Sequence, residues 1–176
     1  MIYVIRHGET DWNLECKMQG HTDIPLNKTG ILQAQTEARE IAKVKIDHIY
    51  SSDLQRARQT AEIINKEFGL EVKLDKRIRE SCFGDLEGRD YRNVDWEEFN
   101  SNPKKFNGET VPEVYSRVKS LLDEIKSKNL ENVLLVTHAG TVRMLLYCAD
   151  HNELDESEFA NTYRFREIKN SSLIRL

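Results

Sequence analysis

Five residues stand out in this chain for the chemistry their types could support: Arg6, His7, Arg56, Glu80 and His138. Arginine guanidinium groups are planar, permanently charged forks whose geometry matches phosphate oxygens. A neutral imidazole is a competent phosphoryl acceptor near neutral pH. A glutamate whose protonated form is favoured by burial could give a proton to a departing alkoxide. Gly8 and Gly140, close behind the two histidines, leave the backbone free to approach an oxyanion. The set reads as phosphoryl transfer by positioning and electrostatic stabilisation, with no metal sharing the work.

Such chemistry needs these residues on one edge of a fold, and the apolar pattern supplies one. Ile2–Ile5 and Asn132–Thr137 hold apolar runs predicted as buried strands, and Ile46–Tyr50 and the shorter Glu71–Leu74 are predicted as the other two strands. Asn27 is predicted to cap a helix carrying Leu32, Gln35, Ala38 and Ala42. Asp53 is predicted to cap the next, over Leu54 to Phe68, with Gly69 as its stop. Thr110 and Glu113 have capping-box spacing ahead of an amphipathic helix with Val114, Val118, Leu121, Leu122 and Ile125. A further helix starts near Thr141. Tyr163–Ile168 and Ser172–Leu176 are predicted strands that pair as an edge hairpin.

Strands alternating with helices imply an α/β three-layer sandwich, a mostly parallel central sheet with helices on both faces. Arg6–Thr10, Ser51–Arg56, Arg79–Glu80 and Thr137–Gly140 all follow strand ends. In such folds ligands bind outside the carboxyl ends of the strands. The whole chain, residues 1–176, is expected to form a single domain. A compact lid-like insertion is expected at about 80–108, where the pattern loosens around Gly84, Gly88 and Pro103, with a short helix near Trp96 and Phe99. His21, His48 and His151 have no partner motif and read as structural, while Tyr91, Trp96 and Phe99 read as lid packing.

A formal net charge of −4 argues against nucleic acid or an anionic membrane as partner. No apolar window reaches the ~18 residues of a membrane span. The opening Met1-Ile2-Tyr3-Val4-Ile5 carries no basic leader, and three scattered cysteines suggest a reduced, cytoplasmic setting. The expected partner is a small-molecule phosphate ester. Rival phosphate chemistries leave no trace. Six residues after Cys16, Cys82 and Cys148 stand Thr22, Gly88 and Leu154 rather than the arginine of a cysteine phosphatase. There is no P-loop, no Asp-x-Asp pair and no zinc-spaced histidine pair.

Read as motifs, the same residues extend further. Arg6-His7-Gly8-Glu9-Thr10 resembles the signature of the histidine phosphatase superfamily, the phosphoglycerate-mutase-like proteins. Gln19-Gly20 with Asp23, Pro25-Leu26 and Gly30 resembles the loop and helix start that come next in its phosphatase branch. Ser51-Ser52-Asp53-Leu54-Gln55-Arg56-Ala57, Arg79-Glu80 with Phe83-Gly84 and Glu87-Gly88, Gly108-Glu109-Thr110 leading to Arg117, and Val136-Thr137-His138-Ala139-Gly140 resemble the later motifs. The likeness runs from Tyr3 to about Arg143. Lys17 departs from it, standing where many members have arginine at the pocket rim.

The resemblance implies His7 as phosphorylated nucleophile, Glu80 as proton donor, and Arg6, Arg56 and His138 as the phosphate pocket. It places Asn13, Gln19 and Gly20 against the phosphate or the rest of the substrate, and implies no cofactor and no metal. The implied activity is phosphomonoester hydrolysis. Phe83 to Gly88 also resembles the alpha-ribazole phosphatases, which makes alpha-ribazole phosphate one substrate to consider. Two alternatives stay open: a phosphoglycerate mutase, and a silent module that binds phosphate without turnover. The compact 80–108 segment favours hydrolysis over mutase chemistry.

Overall fold

The computed structural model describes residues 1–164 and 166–176. Five strands form one sheet: β1 (Ile2–Arg6), β2 (His48–Ser51), β3 (Val72–Leu74), β4 (Val133–Thr137) and β5 (Leu173–Arg175), in the order β3-β2-β4-β1-β5. The β1–β4, β2–β4 and β2–β3 pairs are parallel, and only β5 runs antiparallel, on the outer edge of β1. Among the described residues seven α-helices accompany the sheet: α1 (Asp11–Leu14), α2 (Lys28–Ile41), α3 (Gln55–Asn65), α4 (Trp96–Ser101), α5 (Val111–Ser127), α6 (Ala139–Asp150) and α7 (Glu156–Glu158).

The central strands β1 and β4 are apolar almost throughout because both faces of the sheet are covered there. Along β4, Val133 and Leu135 pack with α5 and α6 residues such as Val118, Leu121 and Leu145. Leu134 and Val136 point the other way, against Ala38 and Ile41 of α2 and Ala57, Ala61 and Ile64 of α3. All four are fully buried. The two-residue alternation of a strand thus feeds two cores, giving the three-layer α/β sandwich that the pattern predicts.

Helix starts are set locally. Asn27 caps α2 by accepting from Gly30 N–H at 2.8 Å. Thr110 and Glu113 form the reciprocal capping box at the head of α5. Asp53 does not cap α3. Its carboxylate forms a two-pronged pair with Arg79 at 2.6 and 2.5 Å, and Leu54 occupies the cap position without a side-chain bond. A charge-assisted double bond is stronger than one cap bond, and the cap duty falls to Asp23, which accepts from Gln55 N–H at 2.6 Å.

Among the described residues the C-terminal hairpin is not seen. Tyr163 ends a π-helix (Phe159–Tyr163), residues 166–168 are irregular, and Phe165 lies outside the described residues. Phe159 and Tyr163 stack and pack edge-on against Tyr147 of α6, and the Tyr163 hydroxyl donates to Asp150 at 2.6 Å. These aromatic contacts with α6 outweigh the strand propensity of the segment. Among the described residues no helix is long and apolar enough to cross a membrane.

Candidate active site

The strand register assembles the site. Arg6 pairs with Thr137, and Ser51 with Val136, at the carboxyl ends of the three central strands. The ladder runs one residue further: His7 N–H donates to Thr137 O at 2.9 Å, and Ser52 N–H to Val136 O at 3.0 Å. His7, His138 and Ser52 are thereby forced together. His138 Nε2 lies 2.8 Å from Ser52 Oγ, and the two imidazoles meet edge to face with centroids 5.1 Å apart.

His7 Nδ1 is 2.6 Å from the Gly8 carbonyl oxygen. A carbonyl only accepts, so Nδ1 carries the hydrogen and Nε2 keeps its lone pair. Both rings are buried, with exposures of 3% for His7 and 0% for His138. Burial pushes the His7 pKa well below 6.5, and Arg56 and Arg6 push it the same way. His138 is lowered likewise, by burial and then by Arg56. Both are therefore neutral near neutral pH.

That has a consequence for stability. Because the folded-state values lie below the ordinary 6.5, the unfolded chain takes up protons first as pH falls. Stability is expected to be level above about pH 7 and to decline below about pH 6.5, by up to about 1.4 kcal/mol per pH unit for each ring. Thermal denaturation from about pH 7.5 to 5 checks this; a Tm that stays constant would mean that the rings are charged in the fold.

Arg56, at the first turn of α3, is fully buried. Its Nη1 donates to Thr22 O at 2.9 Å and Nη2 to Gly20 O at 2.7 Å, while Nε has no partner. Burial lowers its pKa to about 10, opposed by Glu80, Asp23 and Glu87, so it stays charged. Arg6 donates Nη1 to Ile168 O at 2.7 Å, and its buried Nε has no partner among the described residues. Gln19 Oε1 and His138 Nδ1 are buried without partners too. Folded proteins pair nearly all buried polar atoms, so two buried guanidinium Nε–H donors without partners among the described residues mark a place for an anion.

The sequence-predicted residues Arg6, His7, Asn13, Gln19, Gly20, Arg56 and Glu80 line one cavity of about 180 Å³. His138 is not part of its lining; it sits behind His7. Trp12, Lys17, Phe83 and Tyr91 complete the wall. Asn13 closes the capping box of α1, its Oδ1 accepting from Thr10 N–H at 3.0 Å.

Glu80 is held by backbone. Ser81 N–H donates to Oε1 at 2.9 Å, and Gly140 N–H, in the first turn of α6, to Oε2 at 3.0 Å. A Cβ at position 140 would collide with Glu80 Oε1, so a larger residue there would push the carboxylate aside. The Glu80 carbonyl in turn accepts from His21 Nε2 at 2.9 Å and from Arg117 Nη2 at 3.0 Å. His21, which reads from the sequence as partnerless, is thus part of this support.

Glu87 is the residue whose role the sequence hides. Its carboxylate accepts from His21 N–H, Thr22 N–H, Thr22 Oγ1–H and Phe83 N–H, at 2.5 to 3.0 Å. Burial works to raise its pKa, but these donors, Thr22 foremost, outweigh it and hold the group below 4.5. The same loop offers the Gly20 and Thr22 carbonyls to Arg56, so Glu87 fixes Arg56 at one remove. The only clue in the sequence is its place in the Phe83–Gly88 motif.

The buried, neutral histidine between two phosphate-matched arginines is the arrangement that the motifs imply, and comparison with known proteins decides the family. The profile of the histidine phosphatase superfamily (branch 1) matches residues 2–170. The chain belongs to that family. Phosphoglycerate mutase-like protein 4 of Arabidopsis thaliana is 41% identical over 157 residues, covering 82% of this chain and 68% of that protein. The solved structure of a mycobacterial glucosyl-3-phosphoglycerate phosphatase with VO3 superposes with a TM-score of 0.83 at 27% identity, covering 98% of this chain and 88% of that one. That of an Escherichia coli K-12 "putative alpha-ribazole-5'-P phosphatase" gives 0.76 at 27% identity, covering 91% and 83%. Membership of this family and likeness to phosphatases support an enzyme that hydrolyses phosphate esters.

Proposed function

We propose that this protein is a phosphomonoesterase that works through a phosphohistidine on His7 and needs no metal ion. The observation that carries the reading is the pairing of a free Nε2 lone pair on a buried neutral His7 with the unpartnered Nε atoms of Arg6 and Arg56 in one cavity. In the first step Nε2 attacks phosphorus and the ester P–O bond breaks. Glu80, protonated, gives its proton to the leaving oxygen. In the second, Glu80 takes a proton from water, the hydroxide attacks phosphorus, and the P–N bond breaks to release phosphate. Arg6 and Arg56 spread over the phosphoryl oxygens the positive charge that a metal would otherwise supply. His138, outside the cavity lining, packs edge to face against the His7 ring and is itself held by Ser52 Oγ. Asn13, Gln19 and Gly20 frame the substrate. The 80–108 segment, which carries Glu80, Phe83 and Tyr91, is the cover of a single domain.

Hydrolysis of p-nitrophenyl phosphate by the purified protein in excess EDTA tests this. Chelator-resistant phosphate release is expected; release that stops with EDTA would remove the metal-free mechanism. No release at all would favour a mutase, which a phosphoglycerate assay primed with bisphosphate would detect.

The proton-donor role has its own signature. Glu80→Gln should slow alkyl esters, whose leaving groups need a proton, by roughly 10²–10⁴-fold, with a much smaller effect on p-nitrophenyl phosphate. Gly140→Ala, which displaces the same carboxylate, should show the same split. Equal losses on both ester types would remove Glu80 from that role.

A further inference from the structure

A second cavity, of about 570 Å³, adjoins the phosphate cavity and shares Phe83 and Tyr91 with it. Ser81 and Gly140, whose N–H groups hold the Glu80 carboxylate, belong to its wall. Glu80 therefore stands at the junction, where an ester oxygen would leave the phosphoryl group. The rest of the wall is mainly apolar, with Met18, Trp96, Phe99, Val111, Met144 and Phe159.

Two cations interrupt that apolar wall, Arg143 and Arg164. Arg143 donates Nε to the Arg166 carbonyl at 2.7 Å, and among the described residues neither arginine has a carboxylate hydrogen-bonded to it. The acidic groups that they sense through space are Glu80 for Arg143 and Glu156 for Arg164. Glu109, also in the wall, is committed to Arg117 and to Cys82 N–H. Burial lowers the pKa of both cavity arginines, a sign that they have given up hydration.

We propose that this cavity takes the leaving group, and that the substrate class is a phosphomonoester of an alcohol with an aromatic-sized apolar body and a second anionic group bound by Arg143 and Arg164. The proposal rests on the phosphatase reading above. Cavities of roughly 300–1,000 Å³ suit ligands of drug size, so a serine or glycerate ester would leave most of this surface uncovered. A neutral body would cover the apolar wall but leave two partly desolvated cations unpaired, which is costly. An anion at the end of that body satisfies both.

A matched pair of esters tests it: 2-naphthylmethyl phosphate and its 6-carboxylate, with p-nitrophenyl phosphate as reference. The carboxylate should raise kcat/KM by roughly tenfold or more, the scale of one charge-assisted bond. Arg164→Gln should erase most of that advantage and leave the reference rate unchanged. Val111→Trp, which fills the cavity, should slow both naphthyl esters more than the smaller p-nitrophenyl reference. A wild-type enzyme indifferent to the carboxylate, or a preference that survives in Arg164→Gln, would overturn the proposal while leaving the phosphatase reading intact. No release from any of the three esters would overturn both.

Discussion

Replacing His7 with alanine should lower kcat for every phosphate ester by roughly 10⁴-fold or more, the scale seen when a covalent nucleophile is removed. The size follows from the geometry. His7 holds the only unbonded imidazole nitrogen among the described cavity-lining residues, with Nδ1 tied to the Gly8 carbonyl. Arg6 and Arg56 would remain, so the variant should still bind phosphate competitively, and KM should change far less than kcat. The backbone bond from His7 N–H to Thr137 O does not depend on the side chain, so the fold should persist. Steady-state kinetics with inhibition by inorganic phosphate separates the two effects. Near-wild-type turnover would remove His7 as nucleophile.

Arg56→Met should reduce kcat/KM by roughly 10²–10³-fold, the usual loss when one preorganised donor to a developing charge is removed. Arg56 is fully buried and its hydrogen bonds go to two backbone carbonyls rather than to a carboxylate. Holding an unpaired charge there is costly, and an apolar side chain of similar length removes that cost. Against this, the Gly20 and Thr22 carbonyls lose their donors. The two effects oppose each other, so Tm should move by only a few degrees, about 1 kcal/mol or less. Charge supplies a second readout. Arg56 helps to depress the His7 pKa, so its loss should raise that pKa and move the acid limb of the pH–rate profile to higher pH. Full activity in Arg56→Met would place Arg56 outside the catalytic machinery. An activity loss matched by a collapse in Tm would assign it a structural role instead.

These two residues are legible because of where they stand. Ile2–Arg6 and Val133–Thr137 are apolar almost without interruption, and that marks a strand buried on both faces. Once strand ends are known, parallel order brings the residues just beyond them to one edge, which pairs His7 with His138 across 131 residues of chain. Asn27, Thr110 and Glu113 are legible for the opposite reason, since caps involve only neighbours. The features that the sequence conceals depend on distant partners. Asp53 has the right type and position for a cap, and only the approach of Arg79, 26 residues on, redirects it. Glu87 gains its role from Thr22, 65 residues away. The Tyr163–Ile168 sequence alternates as a strand would, yet Tyr163 ends a π-helix and packs against Tyr147. His138 reads from its motif as part of the pocket surface, whereas the register sets it behind His7.

The most direct test is to quench the enzyme during turnover of a ³²P-labelled ester and map the label. A phosphoenzyme that is labile in acid and stable in alkali, with phosphate on Nε2 of His7 and no label in His7→Ala, is the predicted result. Turnover without a trapped phosphoenzyme, or label on Nδ1 or on any other residue, would contradict His7 as the nucleophile.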